Sequence, residues 1–257
     1  MDFGYEGKAV VITGSSKGIG RRTAEEMLKL GAKMMLVARG EEALKKAQKE
    51  LSAHGRVEYI VQDVTADGAG ETIINAVIDK FGRLDVLVNN AGGAFAESFE
   101  DIEVGDWEDD LNLKLMSAVK TSKAALPHLK ESGGAILNLT AVAGKAPGAS
   151  TLPTAVSRSA GLSMTKAMSK DLGQYNVRVN AVCIGLIHSD QIEKMWQERA
   201  PELTWEEFAT TGHDDIPLGR IGETEEAANV ITFLCSDLAS YITGVAVNID
   251  GGASPVI

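Results

Sequence analysis

Two stretches hold residues whose types and spacing could do chemistry. In "VVITGSSKGIGRRTAEEM", Gly14, Gly18 and Gly20 follow an apolar run and open a helical pattern. Small residues there let backbone N–H groups approach a pyrophosphate, and the positive end of the helix dipole favours the anion. A lone glycine triplet says little; the strand–turn–helix context gives it weight. The second stretch is "CIGLIHSD". His188 and Asp190 follow an apolar run there, and histidine titrates in a range useful for proton transfer. An exposed loop histidine is the plainer reading of His188. His213 with Asp214 and Asp215 is a weaker candidate of the same kind. Cys183 and Cys235 form no CxxC or Cys/His cluster, so no metal site is expected. Both read as reduced thiols in a core.

The elements that must position these residues alternate along the chain. Short apolar runs at 8–13, 32–38, 57–63, 84–92, 133–141, 177–185 and 244–252 read as seven strands. Helical patterns lie between them, including a long one from Trp107 to Leu129 and another over 154–176. Near-continuous apolar strands alternating with helices predict an α/β protein, a parallel sheet covered on both faces in three layers. No internal repeat or linker divides the 257 residues, so one domain over 1–257 is expected. The least regular part, 186–216, follows the end of a strand. That position predicts a substrate lid near the ligand crevice, with an ordinary surface insertion as the alternative.

The net charge of −11 argues against a nucleic-acid or anionic-membrane partner. A small-molecule substrate is the remaining class. "MDFGYEGK" has neither the basic nor the apolar part of a signal peptide, and no apolar run approaches a membrane span. A cytoplasmic location is expected.

"TGSSKGIG" (13–20), "NNAG" (89–92), Asp63-Val64, Asn112 in "LNLKL", "VRVNAV" (177–182) and "VNIDGG" (247–252) together resemble the short-chain dehydrogenase/reductase family, single-domain branch, over nearly the whole chain. The resemblance implies a doubly wound Rossmann fold with a seven-stranded parallel sheet. It implies a nicotinamide dinucleotide held by Gly14, Ser16, Lys17, Gly18, Ile19, Gly20, Asp63, Val64, Asn90, Ala91 and Gly92, with Ile187 and Ser189 near the carboxamide. It also implies a homotetramer or homodimer. The second strand ends at Arg39 with no acid at its tip, and Lys17 precedes Gly18. A guanidinium grips phosphate through two parallel bonds and lysine adds a point charge, so NADP(H) is read as preferred, with NAD(H) as the alternative. Glu41 and Glu42 nearby weigh the other way.

The resemblance also locates what is missing. The family's Ser, Tyr and Lys fall on Ala141, Thr154 and Arg158, and Asn112 stands as its helix asparagine. Ala141 has no donor for an oxyanion. Thr154 is shorter than tyrosine and far less acidic than a phenol of pKa about 10. Arg158 keeps a positive charge but does not readily release a proton. Tyr5, Tyr59, Tyr175 and Tyr241 are all remote in sequence from Thr154. Thr140 is expected on the opposite face of its strand, and Ser157 and Ser159 are expected to face away from Arg158. Three readings follow. One is an oxidoreductase for a small carbonyl, alcohol or enone with atypical proton transfer. The second is a catalytically inactive nucleotide-binding protein or inactive partner subunit. A non-redox enzyme ranks last.

Overall fold

The computed structural model describes all residues except Ala94, together with every side chain but those of Asp190 and Gln191. The first strand, β1 (Ala9–Thr13), is buried at every position. That suits its apolar run, because a strand covered on both faces has no solvent side. α1 (Gly18–Lys29), β2 (Lys33–Ala38), α2 (Glu41–Leu51), β3 (Val57–Val61), α3 (Ala69–Phe81) and β4 (Val86–Asn89) follow. Next come β5 (Ala96–Glu97), α4 (Val104–Leu111), a π-helical turn (Asn112–Met116), α5 (Ser117–Ser132) and β6 (Ala135–Ala141). β7 (Leu152–Pro153), α6 (Thr154–Leu172), β8 (Arg178–Ile184), α7 (Asp190–Arg199), α8 (Trp205–Thr210), α9 (Thr224–Cys235) and β9 (Ala246–Ile249) complete the chain.

Seven strands form one parallel sheet in the order β3-β2-β1-β4-β6-β8-β9, as expected. The order reverses between β1 and β4, and that is where an open sheet of this kind leaves a crevice at its carboxyl edge. One apolar core lies under α1, α2 and α9 and includes Ile12, Met27, Leu36, Leu44, Val86 and Ile231. The other lies under α3 and α5 and includes Val11, Met35, Ile73, Leu87, Ala125 and Ile136. These two layers hold the carboxyl ends of β1, β4, β6 and β8 side by side.

Two features differ from expectation. The helix predicted from Trp107 to Leu129 is broken by the π-helical turn, which inserts residues into the winding and changes the phase of the side chains beyond it. A separate antiparallel pair also forms, β5 with β7, joining Ala96 to Pro153 and Glu97 to Leu152. Each strand has two residues, too short to leave a period in the sequence.

Candidate active site

The glycine turn and the β4 turn interlock. Thr13 Oγ1 accepts from the N–H groups of Asn90 and Ala91, both at 3.0 Å, and Asn90 Nδ2 donates to the carbonyls of Thr13 and Gly14 at 2.9 Å. Gly14 has φ +66°, and a Cβ there would lie 2.9 Å from Ala91 Cα. At Gly20 a Cβ would lie 2.5 Å from Asn90 Nδ2 and 2.6 Å from the Gly14 carbonyl. Glycine is therefore required by close packing at both places. At Gly18 the reason is different: φ is +58° and a Cβ would meet nothing within 4 Å, so that side of the turn is open.

α1 begins at this open side. No side chain caps its N-terminus and no acid lies in its first turn, so its leading amides face an electropositive, uncovered space. The fit to a dinucleotide pyrophosphate is good. Ser16 and Ile19 lie in the same turn; Ile19 also packs on the core beneath. Lys17 is exposed at the N-cap position.

Arg39 stands just beyond β2 with its side chain 79% exposed, its guanidinium 4.0 Å from Asp63. Asp63 Oδ1 accepts from the Thr65 amide at 2.9 Å and hydroxyl at 2.7 Å. These two bonds hold its carboxyl below the usual range, with Arg39 adding to the effect. Val64 is buried beside it. Glu41 and Glu42 both pair with Lys45 at 3.1 Å along α2.

On the other side of β4 lies a buried polar cluster. Arg158 is 8% exposed, and its Nη1 donates to the Leu139 carbonyl at 2.6 Å. Its Nε is buried with no partner among the described residues. Its Nη2 faces Gly92, where a Cβ would come within 2.7 Å. Burial pushes this guanidinium down to about 10, with Asp110 pulling the other way, so it stays charged at neutral pH. Thr154, one turn earlier, opens α6. Ala141 ends β6 and offers only a methyl group. Thr140 is buried and donates to the Val182 carbonyl at 2.9 Å; it points away from Ala141 along β6 but toward α6, and lines a small cavity with Lys114, Ser157 and Arg158.

Lys114, which the sequence reading passed over, joins this cluster from the π-helical turn. Its side chain is buried against Asp110, one helical turn away, with which it forms an ion pair. Nζ also donates to Thr154 Oγ1 at 2.5 Å. Ser157 was expected to face elsewhere, but its hydroxyl donates to Asp110 Oδ2 at 2.6 Å. The carboxylate draws it inward, because α6 packs against α4 at this point. Asn112 turns away: its Oδ1 accepts from Lys120 Nζ at 3.5 Å, and Lys120 in turn reaches the Thr65 carbonyl. The signal for this in the sequence was the acid at 110, just before "LNLKL", and the lysine at 114 within it, an i, i+4 pair.

The region 186–216 holds α7 and α8 around a small core of its own, with Phe208, Ala209 and Ile221 buried under Trp196 and Trp205. Ile187 is buried and bridges to Gly222, while Ser189 caps α7 by accepting from Ile192 at 3.4 Å. His188 stacks on Trp205 with ring centroids 3.8 Å apart, and its Nδ1 lies 3.2 Å from Glu223. Trp205 Nε1 donates to the same carboxylate at 3.0 Å. The Asp190 side chain falls outside the described residues. His213 packs edge-on against Phe208, and Asp214 and Asp215 are exposed, so this second histidine group belongs to the insertion's own packing. Among the described residues no metal-binding group of His, Cys, Asp and Glu occurs, and no helix is long and apolar enough to cross a membrane.

The sheet order, the glycine turn at the β1–β4 crevice and the open helix N-terminus define a nucleotide-binding α/β protein. Residues 14–254 match the family model described as enoyl-(acyl carrier protein) reductase. The chain is 35% identical over 253 residues to a "probable 2,4-dienoyl-CoA reductase" of Bacillus subtilis (strain 168), covering 96% of each. It superposes on L-sorbose reductase of Gluconobacter frateurii, complexed with NADPH and L-sorbose, with a TM-score of 0.93 at 30% identity and all of both chains covered. An NADPH-bound short-chain oxidoreductase of Pseudomonas aeruginosa PAO1, described as containing an atypical catalytic center, gives a TM-score of 0.92 at 30% identity, with 97% of this chain and 98% of that one covered. The protein belongs to the short-chain dehydrogenase/reductase family of NAD(P)-dependent oxidoreductases.

Proposed function

We propose that the protein is an NADP(H)-preferring oxidoreductase of a small carbonyl, alcohol or enone that moves its proton without a tyrosine. The observation that carries this reading is the pairing of an open glycine cradle at α1 with a buried cationic cluster across β4. The first suits a pyrophosphate, and the second supplies positive charge where a substrate oxygen would gain electrons. Gly14, Gly18, Gly20, Asn90, Ala91 and Gly92 would frame the cofactor, and Asp63 and Val64 its adenine end. Ile187 and Ser189 would stand on the nicotinamide side. The cofactor, when bound, exchanges a hydride with the substrate; the chain's task is to orient both and to manage the proton. Arg39, exposed and beyond the end of β2, supports the 2′-phosphate form, with NAD(H) as the alternative. Relatives named as a dienoyl-CoA reductase and an L-sorbose reductase fit the enone and carbonyl branches respectively.

The chain 1–257 is read as a single domain, with 186–216 as a lid hinged where His188 and Trp205 share Glu223. An apolar groove between α5 and α6, lined by Val119, Leu126, Met164 and Met168, supports assembly as a homotetramer or homodimer. Unpaired, buried Cys183 and Cys235 fit a reducing, cytoplasmic compartment.

A second reading is an inactive nucleotide-binding protein or partner subunit. It is favoured by Ala141, which offers no donor, and by Thr154, whose hydroxyl is engaged with the chain at Phe95. Calorimetric titration with NADPH and NADH is the first test. Tight NADPH binding followed by its oxidation with a panel of diketones, aldehydes and enones would support the enzyme. Binding with no turnover across the panel would support the second reading, and no binding of either nucleotide would end both.

A further inference from the structure

The Thr154 hydroxyl is fully used. It accepts from Lys114 Nζ at 2.5 Å and from the Phe95 amide at 3.3 Å, and its single proton goes to the Phe95 carbonyl at 2.5 Å. Two of these three partners differ in kind from the third. Lys114 comes from the π-helical turn between α4 and α5 and is paired with Asp110, to which Ser157 donates at 2.6 Å. Phe95 lies on the exposed segment that follows β4, where Phe95, Ala96 and Glu97 all face solvent. One side of the hydroxyl is thus fixed and buried, and the other can be exchanged.

We propose that Lys114 and Thr154 form the proton-delivering couple of this site, with Thr154 as the catalytic hydroxyl and Lys114 as the positioning residue that recharges it. The Phe95 carbonyl holds the place a substrate oxygen takes. This rests on the oxidoreductase reading and assigns its missing acid.

In the reducing direction the balance is simple. The substrate oxygen gains negative charge as the carbon beside it, or conjugated to it, is reduced by the nicotinamide. The Thr154 O–H bond breaks toward that oxygen while a Lys114 N–H bond breaks toward Thr154 Oγ1. One O–H bond forms on the product, threonine is restored, and Lys114 is left as a neutral amine that regains a proton from solvent. The oxidising direction reverses each transfer.

The surroundings of Lys114 suit this. The charged and titratable groups facing it are Asp110 from α4 and Arg158 from α6. Burial holds the Lys114 ammonium below the usual lysine range; Asp110 opposes that shift, and Arg158 adds to it. An ammonium made more acidic in this way gives up its proton more readily than an exposed lysine. Arg158, pushed down to about 10 by burial, stays charged at neutral pH and serves as the standing positive charge of the cluster. A cavity of about 10 Å³ borders Lys114, Asn138, Thr140, Ser157 and Arg158, the size that holds about one water beside the amine.

The test uses the full-length protein with ε-¹³C-labelled lysine, the Lys114 resonance being assigned with Lys114→Arg. Lys114 is expected to titrate below the surface lysines, and Thr154→Val is expected to lower it further by removing the acceptor of its ammonium. A Lys114 that titrates with the surface lysines and ignores Thr154→Val would overturn the proposal. In the kinetic arm, with the carbonyl and enone panel and NADPH, Lys114→Met and Thr154→Val should each lower kcat about 10²–10⁴-fold. Lys114→Arg should fail to rescue it, and the alkaline limb of the wild-type pH profile should vanish in Lys114→Met. Should Lys114→Met fail to fold with Asp110 unpaired, the Asp110→Asn/Lys114→Met double variant replaces it. Variants that bind NADPH normally and keep wild-type kcat and pH profile would overturn the couple. A wild-type protein that binds NADPH but turns over nothing overturns the oxidoreductase reading and the delivery step with it, whereas the lysine titration still tests the Lys114–Thr154 bond separately.

Discussion

The Arg158 guanidinium lies against Gly92, so close that a single methyl group on Gly92 would sit 2.7 Å from Nη2. This contact ties α6 to the turn after β4, beside the crevice where the sheet order reverses. It also explains how an arginine fits a buried place at all: the glycine supplies the room, the Leu139 carbonyl accepts a hydrogen bond from Nη1, and Asp110 supplies the nearby negative charge.

That charge balance makes Asp110 the most sensitive residue of the cluster. Asp110→Ala would leave Lys114 and Arg158 buried without a counter-charge. Loss of one partner from a buried pair costs about 3–5 kcal/mol, and a drop of that size is expected in chemical denaturation. A loss below about 1 kcal/mol would mean the cluster is wetter than its burial indicates.

Arg39 should separate the two cofactors. A charge-assisted phosphate bond of about 1.5–3 kcal/mol corresponds to about 10- to 100-fold in affinity. Arg39→Asp is expected to weaken NADPH by that factor and to leave NADH nearly unchanged. Equal losses for both in calorimetry would remove the basis for NADP(H) preference.

Gly20 should tolerate no side chain. An added Cβ would press on Asn90 Nδ2 and the Gly14 carbonyl together, and neither can move without opening the interlocked turns. Gly20→Ala should cost about 1–3 kcal/mol, as overpacking does, and weaken nucleotide binding in the same sample. Gly105, where a Cβ meets nothing within 4 Å, is the control position.

Acid stability should report on the base of the 186–216 insertion. Arg220 makes two hydrogen bonds to Glu226, at 2.8 and 2.7 Å, and the Glu223 amide adds a third. These bonds hold the Glu226 carboxyl down at about 2, against an ordinary value of 4.5. Between those values the unfolded chain binds more protons than the folded one, so stability rises with pH there. The contribution is complete above about pH 4.5 and is lost as the pH falls toward 2. Glu226→Gln should flatten that part of the melting-temperature profile and leave the profile above pH 5 parallel to wild type. An unchanged acid limb would show that the pair does not persist in solution.

Much of the molecule was legible in local sequence. The turn after β1 could be read because its requirements are local: an apolar run, glycines at fixed spacing and a helix start. Ala141, Thr154 and Arg158 could be assigned through the resemblance to the family's motifs, and α6 carries Thr154 and Arg158 one helical turn apart. The seven parallel strands followed from apolar runs too continuous for a one-sided sheet. Other assignments depended on packing between distant segments. Asn112 and Lys114 are two residues apart, and the π-helical turn decides which of them enters the site. Ser157 turns inward only because α4 brings Asp110 to meet it, and Phe95 reaches Thr154 only through the two-residue pairing of β5 with β7. Periodicity sets which side of an element a residue occupies. Only the tertiary fold decides what that side meets, because a buried charge takes its place from counter-charges brought in by other parts of the chain.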